Sequence, residues 1–175
     1  MRKWSKADAI NLGDGADTVT LNATAALTTA DNADAAVVIK DFGTGDTIKF
    51  AGNGLETSFG TLSSSNVQQT TITETLTTKN VYLGDGSNPV ADDLAAFKAL
   101  FNKDGSDNKI KALADDEEVI ILTKVSDTST AMNLWYVKGV TDSGDATADN
   151  DIIVLLGTVD NGTMSTLTPA DFGVA

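Results

Sequence analysis

The sequence contains no histidine and no cysteine. Together these absences remove imidazole acid–base catalysis, thiolate nucleophiles, disulfides, zinc fingers, haem ligation through histidine and iron–sulfur centres. Positive charge is scarce as well: 12 Lys and Arg stand against 25 Asp and Glu, a formal net charge of -13. Such a surface repels phosphate backbones and anionic lipid headgroups, so neither nucleic acid nor membrane insertion is expected. No apolar run approaches the roughly 18 residues of a membrane span. The longest, Val119 to Leu122 and Ile152 to Gly157, are strand-sized. The basic start, Met1 to Lys6, leads into Ala-Asp-Ala-Ile-Asn instead of an apolar run and does not read as a secretory signal peptide.

What is present favours turns and short strands. The 175 residues include 21 Asp but only 4 Glu, with 24 Thr, 15 Gly and 12 Asn. Asp, Asn and Gly favour turns and Thr favours strands, whereas the residues that fill long helices are few. The fold class expected is mainly β, a stack of short strands with one packed helix, in a single domain spanning 1–175. Residues 8–50 alternate strand-like patches with Gly/Asp turns, 51–118 form an insert, and 119–175 supply the last strands. Within the first segment, Ala36 to Lys40 and Thr47 to Phe50 read as strands joined by a turn over Asp41 to Asp46. Thr70 to Thr78 reads as an edge strand. Further strands are expected over Val119 to Val125, Asn133 to Val140 and Asp151 to Leu156. The helix is expected over 89–102, with Asn88 as cap, Pro89 in the first helical position and Val90, Leu94, Phe97, Leu100 and Phe101 on one face.

Carboxylates on short stems beside glycine suit a hard cation such as Ca²⁺. Gly13-Asp14-Gly15-Ala16-Asp17-Thr18-Val19 has the form G-x-G-x-D-x-hydrophobic. Asp17 is the principal candidate ligand, with Asp14 and the Gly13 and Gly15 carbonyls beside it. Gly84 to Val90 repeats the pattern with Asn88 in the Asp place, and Asp41 to Ile48 gives a third Gly-x-Gly turn whose Asp46 falls one place early. The plain alternative is that all three are ordinary turns, since these residues enable positive φ whatever is bound. Asp115 to Glu118 reads as a solvated charge run. Trp135 and Tyr136 are candidate ligand-binding aromatics, although core packing is the commoner use of such a pair in a strand.

LGDGADTVTL resembles one degraded copy of the glycine-rich nonapeptide of the repeats-in-toxin family, the hemolysin-type calcium-binding proteins, with Leu12 where the family has its first Gly. VVIKDFGTGDTIKF is similar to the segment that often follows those repeats, and the final strands with the LTPADFGVA end resemble the family's C-termini. The resemblance implies a parallel β-roll or β-solenoid, Ca²⁺ between turns, and an uncleaved C-terminal signal read by a type I secretion exporter. It implies a secreted, extracellular or cell-surface location and admits self-association in a bacterial surface layer. Residues 20–30 do not continue a nonapeptide, so the chain reads as the C-terminal part of a longer protein with its repeats upstream. The function expected is a non-catalytic, calcium-assisted structural and secretion module. The alternative is a carbohydrate-binding or adhesive β module, which needs Trp135 and Tyr136 exposed together on one face. A glycosidase built on two carboxylates is the least supported reading.

Overall fold

A computed structural model describes residues 9–22, 37–51, 67–69, 81–83, 90–100, 118–126, 128–138, 152–160, 167 and 169–174. Over these residues the protein is mainly β. The strands are β1 (Ala9–Asn11), β2 (Thr18–Asn22), β3 (Val37–Lys40), β4 (Thr47–Ala51), β5 (Val67–Gln69), β6 (Val81–Leu83), β7 (Glu118–Lys124), β8 (Met132–Lys138), β9 (Ile152–Val159) and β10 (Phe172–Val174). One short helix, α1 (Leu94–Lys98), precedes β7, and a 3-10 turn (Pro169–Asp171) leads into β10.

The strands form two sheets. The larger has the order β1-β3-β9-β8-β7-β6-β5 and the smaller β10-β4-β2. Every pairing in the smaller sheet is parallel, as are β1–β3, β3–β9, β5–β6 and β6–β7. The centre departs from the parallel stack expected from sequence: β8 runs antiparallel to both β7 and β9. The reason at the first of these joints is the connection. Only residues 125–131 separate β7 from β8, closed by Val125 N–H donating to the Ala131 carbonyl at 3.1 Å, and so short a link joins antiparallel strands only.

Burial follows this arrangement. β3 and β4 alternate buried and open positions, as strands covered on one face do. In β7 and β8, six of seven residues are buried, the pattern of strands covered on both faces. Between the sheets, Leu21, Ile39, Phe50, Leu134, Val154 and Phe172 belong to one apolar cluster. On the other face of the larger sheet, Phe97 and Leu100 pack with Ile121, Trp135, Val137 and Ile153. The layers are therefore small sheet, large sheet and helix.

The helix starts later than expected. Its N-cap is Asp93, whose Oδ1 accepts from the Ala96 N–H at 2.7 Å. Val90 instead bridges Lys124 in parallel, and the Ala91 N–H donates to the Lys124 carbonyl at 2.9 Å. The Ala91 carbonyl in turn accepts from Asn133 Nδ2 at 2.9 Å and from the Thr123 hydroxyl at 3.4 Å. These bonds hold residues 90 and 91 extended on the sheet, so the chain turns helical only after them. Asn88, Pro89, Phe101 and the whole of the expected strand from Thr70 to Thr78 lie outside the described residues. Among the described residues no helix is long and apolar enough to cross a membrane.

Candidate site between stacked turns

The two Gly/Asp turns that lie within the described residues sit one on the other. Each joins a strand of the large sheet to a strand of the small one: Leu12 to Asp17 links β1 to β2, and Asp41 to Asp46 links β3 to β4. Backbone bonds join them at both ends. The Leu12 N–H donates to the Lys40 carbonyl at 3.2 Å on entry, and the Thr47 N–H donates to the Asp17 carbonyl at 2.8 Å on exit. Gly45 lies at φ +100, where a side chain is strained, and an added Cβ would stand 3.5 Å from Ala16 Cβ. Asp41 adopts φ 59, a left-handed conformation that Asp tolerates better than most residues.

Asp46 fastens this stack. It is buried, at 2 % relative exposure. Its Oδ2 accepts from the Gly43 N–H of its own turn at 2.8 Å, and its Oδ1 accepts from the Asp17 N–H of the other turn at 2.9 Å. Hydrogen bonds to a charged acceptor contribute about 1.5–3 kcal/mol each, and here they close one turn and tie it to its neighbour. The structure thus gives Asp46 a structural task, holding the two turns together.

Asp17 is placed differently. Thr18 pairs with Thr47, so Asp17, one residue earlier, is the register counterpart of Asp46. Its Oδ2 is buried and has no hydrogen-bond partner. Asp14, Gly13 and Gly15 are exposed on the same turn, and Asn88 with the turn from Gly84 lies outside the described residues. Among the described residues, no three acidic side chains gather where a metal ion could sit. A Ca²⁺ ion takes roughly six to eight oxygens, and the only free buried carboxylate oxygen these two turns present is that of Asp17.

The aromatic pair offers no binding face. Trp135 and Tyr136 are both 0 % exposed and, being adjacent in β8, point to opposite faces of the sheet. Trp135 stacks on Phe97 with ring centroids 4.5 Å apart, and its Nε1 donates to the Thr123 hydroxyl at 2.9 Å. Tyr136 lies in the cluster between the sheets. The exposed pair that the carbohydrate-binding alternative requires is not there, because β8 is central and covered on both sides.

Glu118 also departs from expectation. It reads as the end of a solvated run, yet it is the first residue of β7, buried at 8 % exposure, with Oε1 3.5 Å from Lys138 Nζ on the paired strand. Asp115 to Glu117 lie outside the described residues. Burial, and after it the Glu118 charge, holds the Tyr136 phenol well above its ordinary pKa. The hydroxyl makes no hydrogen bond of acceptable geometry, and Glu118 Oε2 is likewise without a partner. Sequence alone does carry a signal for this pair: Glu118 opens one apolar strand and Lys138 closes the next, as ends of an antiparallel hairpin must.

The chain matches no protein-family model, no curated protein and no solved structure.

Proposed function

We propose that this chain is a non-catalytic structural module that closes one end of a roll-like or solenoid-like stack of strand–turn–strand units. In this reading it lies at the C-terminus of a secreted bacterial protein and serves its export through a type I apparatus. One observation carries the structural part. Three segments, 9–22, 37–51 and 152–174, each give a first strand to the large sheet and a last strand to the small one, and they do so in the same order: β1-β3-β9 and β2-β4-β10. The unit 9–22 supplies an edge strand of both sheets, so a preceding unit can add to both at once, whereas beyond β9 the large sheet turns into the helix-covered antiparallel centre.

The export part rests on the resemblance of the tail and on the way its anchors are used. Leu167 and Phe172 are buried at 3 % and 4 % exposure, and Phe172 stacks on Phe50 with centroids 6.2 Å apart. A tail so engaged in the folded protein is available to an exporter before folding. The test joins residues 1–175 to the C-terminus of a passenger protein in cells carrying a type I exporter. The fusion is expected in the medium, and deletion of residues 151–175 is expected to keep it inside. Undiminished appearance of the deleted form in the medium refutes the export role.

Calcium assistance is a second reading, favoured by the unpartnered Asp17 Oδ2. Asp17, Asp14 and the Gly13 and Gly15 carbonyls are the groups that would hold the ion, which would supply charge neutralisation to an acidic chain and tie folding to binding. Calorimetric titration with Ca²⁺ before and after Asp17→Ala tests it: heat in the first protein alone supports a site, and equal or absent heats remove it. A surface-layer lattice is the assembly that the resemblance adds, tested by the oligomeric state of the full-length protein.

A further inference from the structure

β9 changes register along its length. From Ile152 to Leu155 it pairs with Lys138 to Trp135, and from Gly157 to Val159 with Leu134 to Met132, so Leu156 is the extra residue of a one-residue bulge. Only the stretch beyond the bulge, Gly157 to Val159, also pairs with β3. The bulge therefore decides which residues of β9 meet β3. In the observed register Val159 lies in the core between the sheets at 0 % exposure, and Thr158 faces the helix side, where it meets Asn133. Without the bulge, Gly157 would stand against Asn133 and Thr158 against Met132. Because side chains alternate along a strand, Val159 would then turn out of that core and Thr158 into it.

Asn133 tells the two registers apart. It is buried at 2 % exposure, in a polar row of Thr123, Asn133 and Thr158 that crosses β7, β8 and β9 in register. Its Oδ1 accepts from the Thr158 hydroxyl at 2.7 Å, and its Nδ2 donates to the Ala91 carbonyl at 2.9 Å. A carbonyl only accepts, so Ala91 settles which end of the Asn133 amide faces β9. Gly157 in the place of Thr158 has no side-chain donor, and Oδ1 would lose its partner in the interior, which is costly. We infer that Asn133 is a register lock: its bond to Thr158 selects the bulged pairing of β9 and, through it, the seating of 157–159 on β3. Burial of Val159 favours the same register, so lock and core act together. Since Ala91 belongs to the segment that carries α1, docking of that segment and placement of β9 support each other through one side chain. The lock depends on neither export nor calcium.

The test reads cross-strand proton contacts by NMR in the full chain. In the unmodified protein a single register is expected, with contacts between residues 133 and 158 and slow exchange of the Asn133 side-chain amide. Thr158→Val removes the hydroxyl and offers an apolar side chain to the core in either register. The unbulged register is then expected to gain about tenfold or more in population, the effect of one buried hydrogen bond, visible as a second set of resonances with contacts between residues 133 and 157. Asn133→Ala is expected to release the same second set, and Thr158→Ser, which keeps the hydroxyl, to show only the first. A single bulged register in both Thr158→Val and Asn133→Ala overturns the inference. A second set in Thr158→Val alone traces the register to core burial and overturns it too, as does an unmodified chain whose Asn133 side-chain amide exchanges freely.

Discussion

The stacked units and the antiparallel centre stabilise the same sheet by different means. In the units, strands of three to five residues alternate one apolar face with one open face, and the turns between them are tied by backbone bonds and the Asp46 carboxylate. In the centre, strands of seven and eight residues are apolar on both faces and lie between the small sheet and the helix. The first region gains order from repetition, since each unit provides a template of N–H and C=O groups for the next. The second gains it from burial, at roughly 25 cal/mol per Å² of apolar surface removed from water.

The sharpest way to break the centre is Trp135→Ala. It removes the ring stacked on Phe97 and leaves the Thr123 hydroxyl without its indole donor, at a cost of about 3–5 kcal/mol in chemical denaturation. Loss should appear as one cooperative transition. Asp46→Ala attacks the stack instead. With two bonds to a charged acceptor gone, about 3 kcal/mol of loss is expected, and amide exchange should rise first in 9–22 and 37–51 while β7 and β8 stay protected. A substitution at the seam between the regions tests whether they are coupled. Gly157 pairs with Val37 and sits at the register shift in β9 opposite Leu134, and a Cβ there meets the Val37 carbonyl at 3.0 Å and Leu21 Cδ1 at 3.7 Å. Gly157→Ala should cost about 1–3 kcal/mol and lower protection in β3 and β9 together.

The smallest effect concerns Tyr136. Its hydroxyl is buried and unpartnered, so Tyr136→Phe should leave stability at neutral pH unchanged or slightly higher. The difference emerges in alkali. A folded-state pKa raised above the unfolded value of about 10 means that the unfolded chain loses this proton first. The contribution is whole below pH ~10 and declines as pH rises past it, by up to about 1.4 kcal/mol per pH unit. Tyr136→Phe should remove that part of the slope in urea titrations between pH 9 and pH 11.

Much of the local structure is legible in the residues. Ala36 to Lys40 and Thr47 to Phe50 fall almost residue for residue on β3 and β4, because β-branched residues alternate there between unmistakable turn residues. The apolar blocks at 119 and 133 give β7 and β8. What does not show is the pairing: continuous apolar runs fit a parallel or an antiparallel centre equally well, and the short link over 125–131 decides it. The site shows a similar limit. Counted from its glycines, Asp46 falls one place early against Asp17, yet both residues stand immediately before a strand, and strand register aligns them. The helix start is misplaced because Pro89 and Asn88 resemble a cap, whereas bonds from Asn133, Thr123 and Lys124, distant in sequence, keep residues 90 and 91 extended.

The most direct test of the stacked-turn account is amide exchange at Asp17 in the unmodified chain. Its N–H is bonded to a buried carboxylate from the neighbouring unit, although its turn is otherwise exposed. The account predicts that this amide exchanges as slowly as that of Thr47, which donates to the Asp17 carbonyl, and that Asp46→Ala frees the Asp17 and Gly43 amides. An Asp17 amide in the unmodified chain that exchanges as fast as that of exposed Asp14 would contradict it.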